Sequence, residues 1–174
     1  MYIGHVGAAL AGKRARASIG LLVLLVAAYT PDWVDRGLCL AGSYNPQGIL
    51  SHSILSVILF ALVGFAAYGL ITRDWKGALV VAAAILSHMF LDWITGYKPT
   101  WPGGPMIGLR LYEHPIADFL VEGVTIFAGT MLYARTLPPR RRPWVDVSIM
   151  LGALLALQLT INVAPLLTEL LPKC

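Results

Sequence analysis

Long apolar runs separated by short polar stretches dominate the chain. Four runs are long enough to cross a bilayer as helices, for which about 20 residues are needed, and they cover 49–71, 77–95, 115–133 and 145–171. A fifth apolar run, 17–31, ends at Pro31, where we expect a helix to end or kink. Residues 2–12 are also apolar but too short to cross alone. The pattern predicts an all-α polytopic membrane helical bundle of about five spans plus a short N-terminal helix.

Two stretches between these runs are rich in turn-forming residues. Residues 36–48 contain several glycines, a proline and an asparagine, and they are predicted to form a loop. Residues 96–113 combine glycines and prolines with Tyr97, Trp101 and Tyr112. Aromatic side chains are enriched where a membrane meets water, so we expect this second stretch to be an irregular loop at headgroup depth.

The composition agrees with a membrane protein and argues against a soluble domain or a nucleic-acid-binding protein. The 174 residues are 57% hydrophobic and 13% charged, whereas about 25% charge is usual in soluble domains. Without a polar linker or a composition shift, residues 1–174 are predicted to form one integral membrane domain. The net charge of +4 does not suggest nucleic acid, since positive residues between spans are expected from membrane topology. The first residues do not form a signal peptide, because their apolar run precedes the basic cluster.

Lysine and arginine are distributed unevenly over the loops. Nine of the 13 lie in three alternate loops, at 13–16, 73–76 and 135–142, which the positive-inside rule predicts to be cytoplasmic. All four histidines then fall in one layer near the outer surface: His5, His52, His88 and His114. Most carboxylates share that layer. Histidines scattered through a core would not do so, whereas ligands that successive helices contribute to one metal site would.

His88 and Asp92 form the most informative pair. They lie four positions apart within 77–95, so on a helix they share a face. An ionisable residue inside a membrane is costly and marks a functional site by default. Imidazole beside carboxylate is a typical ligand set for a divalent metal. A hydrogen bond that merely ties two helices together is the alternative that this pair alone leaves open.

These positions predict roles for individual side chains. The predicted metal ligands are His5, Asp32, His52, His88, Asp92 and His114. Catalytic roles are predicted for Asp32, Asp118 and Glu122, and Glu122 would act beside the ligands or as a proton carrier. So many donors exceed one tetrahedral zinc site, and we therefore expect zinc or another divalent metal, with more than one ion.

Three further charged residues have two interpretations each. Lys98 and Arg110 are candidates for binding substrate phosphate, with anchoring to lipid headgroups as the alternative for each. Asp35 is expected to be a solvated loop charge, and contact with a histidine ligand is its alternative. Cys39 and Cys174 form no metal motif, but their predicted outer location permits a disulfide.

Several short motifs resemble those of the bacterial and archaeal inner-membrane metal-dependent hydrolase family, the YdjM-like proteins. In chain order they are His5-Val6-Gly7-Ala8-Ala9, Pro31-Asp32-Trp33-Val34-Asp35, Ser51-His52-Ser53, and Ser87-His88 with Leu91-Asp92 and Thr95. The family's pattern places a further histidine beside the Pro-Asp element and a His-Arg pair before the third motif. Here Arg36 and residues 45–48 occupy those regions.

A more distant likeness is to the all-helical zinc-dependent phospholipase C proteins. The order of their ligands is matched here by His5, Asp32, His52, His88 with Asp92, and His114 with Asp118, although the spacings differ. This likeness implies a multinuclear zinc site and a phosphoester substrate.

The favoured function is a multi-pass inner (cytoplasmic) membrane hydrolase that depends on a zinc-type metal. It would act on a phosphoester, such as a lipid headgroup, at the outer membrane face, with membrane lipids as partners. A transporter or proton-coupled channel is the alternative, although the inner parts of two spans, 57–71 and 77–86, carry no charged residue. A membrane scaffold with a structural metal is the third possibility.

Overall fold

The computed structural model describes residues 2–43, 45–138 and 143–167, and most of this part of the chain is helical. The helices are α1 (Gly4–Ala15), α2 (Leu21–Ala28), α3 (Thr30–Leu40), α4 (Ile49–His52), α5 (Ile54–Thr72), α6 (Trp75–Thr95), α7 (Pro115–Ala134) and α8 (Pro143–Leu167). Among the described residues, four helices are long and apolar enough to cross a membrane: α5, α6, α7 and α8. The all-α membrane bundle is thus confirmed, with four spans where about five were expected.

The fifth predicted span is divided into two helices. Helix α2 has only 8 residues, which is about 12 Å at 1.5 Å per residue, far less than a bilayer. The chain leaves helical geometry at Tyr29, and α3 then starts with Pro31 in its first turn, where proline is well tolerated. Helix α3 continues to Leu40, so the loop predicted at 36–48 begins later than expected.

The span predicted from residue 49 is interrupted at Ser53. This residue is extended, with φ −69° and ψ 155°, and its side chain accepts a hydrogen bond from the Ser56 backbone N–H. Ser53 is therefore the N-cap of α5, a role that serine favours. The short helix α4 before it carries His52 as a separate turn, so His52 is not part of the membrane-spanning helix.

Helix α1 runs alongside α7 in the same direction. Both carboxylate oxygens of Glu122 accept backbone N–H groups of α1, from Tyr2 at 2.7 Å and from Gly4 at 2.8 Å. Two turns further along α7, a Cβ on Gly129 would collide with the carbonyl of Gly7, so the two backbones are in direct contact. Small residues allow such close helix packing inside membranes.

An ion pair marks the opposite end of the bundle from the start of α1. The Arg16 guanidinium donates to both Asp74 carboxylate oxygens, at 3.0 and 3.1 Å, and so joins the α1–α2 turn to the α5–α6 turn. A hydrogen bond from the Gly77 backbone, followed by the Arg16 contact, lowers the pKa of the Asp74 carboxyl below its ordinary value. Two basic loops that were predicted to share a side therefore lie at one end of the bundle.

The predicted aromatic loop is a small hairpin. Strand β1 (Lys98–Pro99) pairs antiparallel with β2 (Met106–Ile107), with Lys98 opposite Ile107. The backbone of Ile54, in the first turn of α5, donates to the carbonyl of Thr100 at 2.9 Å. This bond fixes the hairpin to the start of α5 and so sets the position of Lys98.

Polar side chains join α1, α7 and α8 within the bundle. The Ile3 backbone donates to Gln158, whose amide donates to Asn162, and Asn162 donates to Asp118 Oδ2 at 2.9 Å. Hydrogen bonds between membrane helices are a common means of association. The possible disulfide between Cys39 and Cys174 lies outside the described residues, because Cys174 is not among them.

Candidate metal centre

Three imidazoles and two carboxylates converge near the end of the bundle at which α1 starts. Two groups of potential ligands have donor atoms within 4.8 Å of one another. The first group is His5, His88 and Asp92, and the second is Asp32, His52 and His88. His88 belongs to both, so the two groups form a single cluster, which we call the His/Asp cluster.

His88 lies at the centre of the His/Asp cluster and is fully buried. Its Nδ1 lies 2.8 Å from the carbonyl oxygen of Ala28, at the end of α2. A carbonyl can only accept, so Nδ1 carries the proton and the neutral ring has its lone pair on Nε2. That Nε2 is buried without a hydrogen-bond partner and faces Asp92 Oδ2 at 3.5 Å and Asp32 Oδ1 at 3.7 Å.

His5 is brought to His88 by the anchored start of α1. The two rings stack with centroids 3.9 Å apart and planes within 9° of each other. His5 Nε2 lies 3.2 Å from Asp92 Oδ1. Glu122 fixes the backbone of Tyr2 and Gly4 immediately before His5, so this carboxylate sets the position of the His5 ring.

His52 approaches from the opposite side on the short helix α4. Its Nε2 lies 3.1 Å from Asp32 Oδ1 and 3.6 Å from Asp92 Oδ2, and its Nδ1 lies 2.7 Å from Ser51 Oγ. Burial lowers the pKa of the His52 imidazole below its ordinary value, despite the nearby Asp32. The neutral form, which binds metals, is therefore favoured.

The two carboxylates of the cluster differ in exposure. Asp92 is buried and also pairs with Lys98 Nζ of the hairpin at 3.2 Å. The Asp32 side chain is 43% exposed, so it is the carboxylate of the cluster that solvent can reach. Burial tends to raise the pKa of Asp32, but the nearby imidazoles of His52 and His88 outweigh it, so the pKa lies below its ordinary value. Water and solutes can reach the cluster along Asp32.

The donor set fits a divalent cation. In the neutral tautomer that the Ala28 contact favours, the lone pair of His88 Nε2 faces two carboxylate oxygens. This arrangement is repulsive, and either a bound cation or a second proton on the imidazole relieves it. Three imidazole nitrogens with carboxylate oxygens form a donor set of the kind that zinc binds. The contact of His88 Nδ1 with a backbone carbonyl is also the usual way in which proteins orient a histidine ligand.

Four residues with predicted site roles do not contact the cluster in the described part of the chain. His114 is exposed at the N-cap of α7 and belongs to neither group of potential ligands. Asp118 binds Asn162, and Glu122 binds the start of α1. Arg110 lies over the Tyr97 ring at 3.9 Å and pairs weakly with Glu113. Of the two basic candidates for substrate binding, Lys98 reaches the cluster and Arg110 does not.

Several partners of the histidines were not predicted from the sequence. The Ala28 carbonyl left no signal, because any residue could supply it. Ser51 was noted only as part of a motif, although its hydroxyl contacts both His52 and Asp35. Asp35, expected to be a solvated loop charge, also accepts a hydrogen bond from Asn45 at 2.6 Å and so belongs to the surroundings of His52.

Comparisons with known proteins identify a family. Searches of curated proteins and of solved structures found no match, so the likeness to zinc-dependent phospholipase C is not confirmed. The positions of His114 and Asp118 outside the cluster also weaken that likeness. A family model described as "YdjM inner membrane protein" matches residues 2–164, nearly the whole chain. The protein therefore belongs to the YdjM inner membrane protein family, as the motifs around His5, Asp32, His52 and His88 predicted.

Proposed function

We propose that the His/Asp cluster holds a divalent metal ion, zinc in the first instance, and that the protein hydrolyses a phosphoester at the outer face of the inner membrane. The observation that carries this proposal is the buried, unpartnered Nε2 of His88, which faces two carboxylates while its Nδ1 is committed to Ala28. A hydrogen bond that only joined helices would pair this nitrogen with a carboxylate oxygen, whereas His88 Nε2 makes no hydrogen bond, and unpaired buried polar atoms are costly.

The residues that would hold the ion are His5, His52, His88 and Asp92, with Asp32 at the open side. Both groups of potential ligands use His88, whose only available nitrogen is Nε2. One imidazole nitrogen binds one ion, so the described donors support one well-held ion. The second ion expected from the sequence stays a prediction and would need a carboxylate to bridge the two ions.

A metal bound there would polarise a phosphoryl oxygen and acidify water. The chain's own residues would supply the remaining steps. Asp32, exposed and with a lowered pKa, is ionised at neutral pH and can orient an incoming water through its carboxylate. The buried histidines exclude bulk water from the other side of the cluster.

Lys98 is the residue best placed to bind an anionic substrate. Its ammonium group reaches Asp92 from the hairpin. The backbone hydrogen bond from Ile54 to Thr100 holds the hairpin in place. A lysine at the mouth of a carboxylate-rich site compensates the charge of a phosphate. The exposed aromatics Tyr97 and Trp101 of the same hairpin suit the headgroup layer of a membrane, which supports a lipid phosphoester as substrate.

The outward orientation of the cluster can be tested separately. Reporter fusions at Trp75 and Arg141 are expected to show cytoplasmic activity, and fusions at Ser43 and Gly104 external activity. The reason is that basic residues collect at the end of the bundle where Arg16 pairs with Asp74, and that end should stay inside. The opposite pattern would place the cluster at the cytoplasmic face and contradict the proposed location of the substrate.

The hydrolase activity can be tested with purified protein in phospholipid vesicles. We expect release of phosphate or a phosphorylated headgroup from phosphomonoester and phospholipid substrates, loss of that release with a chelator, and recovery on addition of zinc. Wild-type protein that retains metal but cleaves none of a broad panel of phosphoesters would contradict the hydrolase proposal. It would then favour the scaffold with a structural metal.

A transporter or channel remains the alternative function, but no observation favours it. The cluster is confined to one end of the bundle, and charged side chains do not continue through the inner parts of α5 and α6. A conducting path would need such groups across the membrane.

A further inference from the structure

We propose that Asp35 is a positioning residue that acts through Ser51 to fix the tautomer of His52, so that the lone pair of His52 Nε2 faces the cluster. This inference rests on the proposed metal site and deepens it, because it names a residue that prepares one ligand. Asp35 itself does not touch His52 and lies on α3, whereas His52 lies on α4. The hydrogen bonds between Leu50, Asn45, Ser51 and Asp35 involve groups that can only donate or only accept, so their directions are fixed.

A backbone N–H group fixes the orientation of the Asn45 side-chain amide. The Leu50 N–H donates to Asn45 Oδ1 at 2.8 Å, and this bond fixes which side of the Asn45 amide carries oxygen. Asn45 Nδ2 must then be the atom that faces Asp35 Oδ1 at 2.6 Å and Ser51 Oγ at 3.0 Å. An amide nitrogen only donates, so the Ser51 oxygen accepts one hydrogen bond from Asn45.

The single hydroxyl proton of Ser51 also has a fixed direction. Ser51 Oγ lies 2.9 Å from Asp35 Oδ1, and a carboxylate oxygen only accepts. The proton of Ser51 therefore points at Asp35. The Gly48 carbonyl, at 3.3 Å from Ser51 Oγ, is a more distant acceptor. A proton directed at His52 Nδ1 instead would leave two oxygens, Ser51 Oγ and Asp35 Oδ1, facing each other at 2.9 Å with no proton between them.

The tautomer of His52 follows from these two directions. With its proton directed at Asp35, Ser51 Oγ has only a lone pair left for His52 Nδ1, which lies 2.7 Å away. A hydroxyl has one donor and two acceptor positions, and the arrangement uses all three. His52 Nδ1 is therefore the protonated nitrogen, and Nε2 faces Asp32 and Asp92 with its lone pair.

Without Asp35, the carboxylates of the cluster would favour the other tautomer. Asp32 Oδ1, at 3.1 Å from His52 Nε2, is a strong acceptor and favours a proton on that nitrogen. If Asp35 were absent, the Ser51 hydroxyl could rotate and donate its own proton to His52 Nδ1. The ring would then carry its proton on Nε2, where it blocks metal binding. Asp35 prevents this by holding the hydroxyl proton away from His52.

The test compares two substitutions of nearly equal size. Asp35→Leu removes the acceptor, and we expect zinc affinity to fall about 10–100-fold, as for other residues that orient a metal ligand. Asp35→Asn can keep an acceptor oxygen towards Ser51, and we expect zinc affinity within about 3-fold of wild type. The exposed Asp146→Asn on α8 is the control for loss of a surface carboxylate. Equal losses in Asp35→Leu and Asp35→Asn would show that charge matters rather than direction, and would overturn the proposal, as would full affinity in Asp35→Leu.

Two further measurements separate this role from general destabilisation. Ser51→Ala removes the residue through which Asp35 acts, so Asp35→Leu added to Ser51→Ala should cause no further loss of zinc affinity. Additive losses would overturn the proposal. In metal-free protein with ¹⁵N-labelled histidine, the His52 signal, assigned by its absence in His52→Gln, should show the proton on Nδ1 in wild type and a mixture in Asp35→Leu. A proton on Nε2 in wild type would overturn the inference whether or not the protein binds metal, whereas failure of wild type to bind metal would contradict only the proposed function.

Discussion

His88→Ala is expected to abolish specific metal binding, with a loss of zinc affinity greater than about 100-fold. Residues that only orient a ligand account for about 10–100-fold, and His88 is the one residue that both groups of potential ligands share. Its removal also leaves the stacked His5 ring without its neighbour. Zinc titration of the purified variant in detergent, with a competing chelator to set the free concentration, measures the effect.

The matched control for this experiment is His114→Ala. Sequence reasoning placed His114 among the ligands, whereas the structure places it at the exposed N-cap of α7 and outside the cluster. Zinc affinity within about 2-fold of wild type is therefore expected for His114→Ala, since an exposed histidine adds at most a weak site. Equal losses of zinc affinity in the two variants would contradict the assignment of the ligands. Unchanged zinc affinity in His88→Ala would indicate that the cluster only forms hydrogen bonds between helices.

Asp92→Asn is expected to weaken metal binding sharply and to eliminate hydrolysis. The substitution keeps the shape and one oxygen of the side chain but removes the charge that offsets the metal's charge. Asp92 lies within 3.6 Å of the ring nitrogens of His5, His52 and His88, so it faces every imidazole of the cluster. Metal content and activity measured in one preparation give the result.

The same variant distinguishes three roles for Asp92. A residue that only orients a ligand would give a milder loss of about 10–100-fold with metal still bound. A structural hydrogen bond would give almost no change, because the amide can still form it. Retention of full metal and full activity would remove Asp92 from the site. An asparagine oxygen can still accept a hydrogen bond from the Lys98 ammonium, although the ion pair is lost, so metal content rather than activity distinguishes the three roles.

The main helices were predictable because a long apolar run in a membrane forms a helix. The runs 77–95 and 115–133 correspond closely to Trp75–Thr95 and Pro115–Ala134. The spacing of four between His88 and Asp92 also placed both side chains on one face, and both are buried in the cluster. The helix bounds and the shared face of His88 and Asp92 depend only on the hydropathy and periodicity of one helix, both of which can be read from the sequence.

The remaining features depend on contacts between distant segments. The run 17–31 has the composition of a span, but its helix ends at Tyr29, and the separate helix α3 then directs Asp32 to the cluster. His52 reaches the cluster because Ser53 ends its short helix before the membrane helix begins. The first break was expected as an end or kink at Pro31, two residues after the observed position at Tyr29. The break at Ser53 is not visible in the hydrophobic pattern, since serine is tolerated inside helices.

The rotation of α7 about its axis determines which of the predicted site residues on this helix lie among the donor atoms of the cluster. Asp118 and Glu122 are four residues apart and share a face, as expected, but that face is covered by α1 and α8 rather than directed at the other ligands. The sequence shows which residues share a face but not which neighbour covers it. The short N-terminal helix was predicted, but its packing along α7 could only be found from the structure.

The central claim is that His5, His52, His88, Asp92 and Asp32 together bind a metal ion. The most direct measurement is elemental analysis of wild-type protein purified without added chelator, followed by X-ray absorption at the edge of the metal found. We expect at least about one equivalent of zinc or a similar ion, with imidazole nitrogens at about 2.0–2.1 Å in the first coordination shell. Protein that is folded, free of metal and unable to take up zinc from solution, or metal bound without imidazole ligands, would contradict the account.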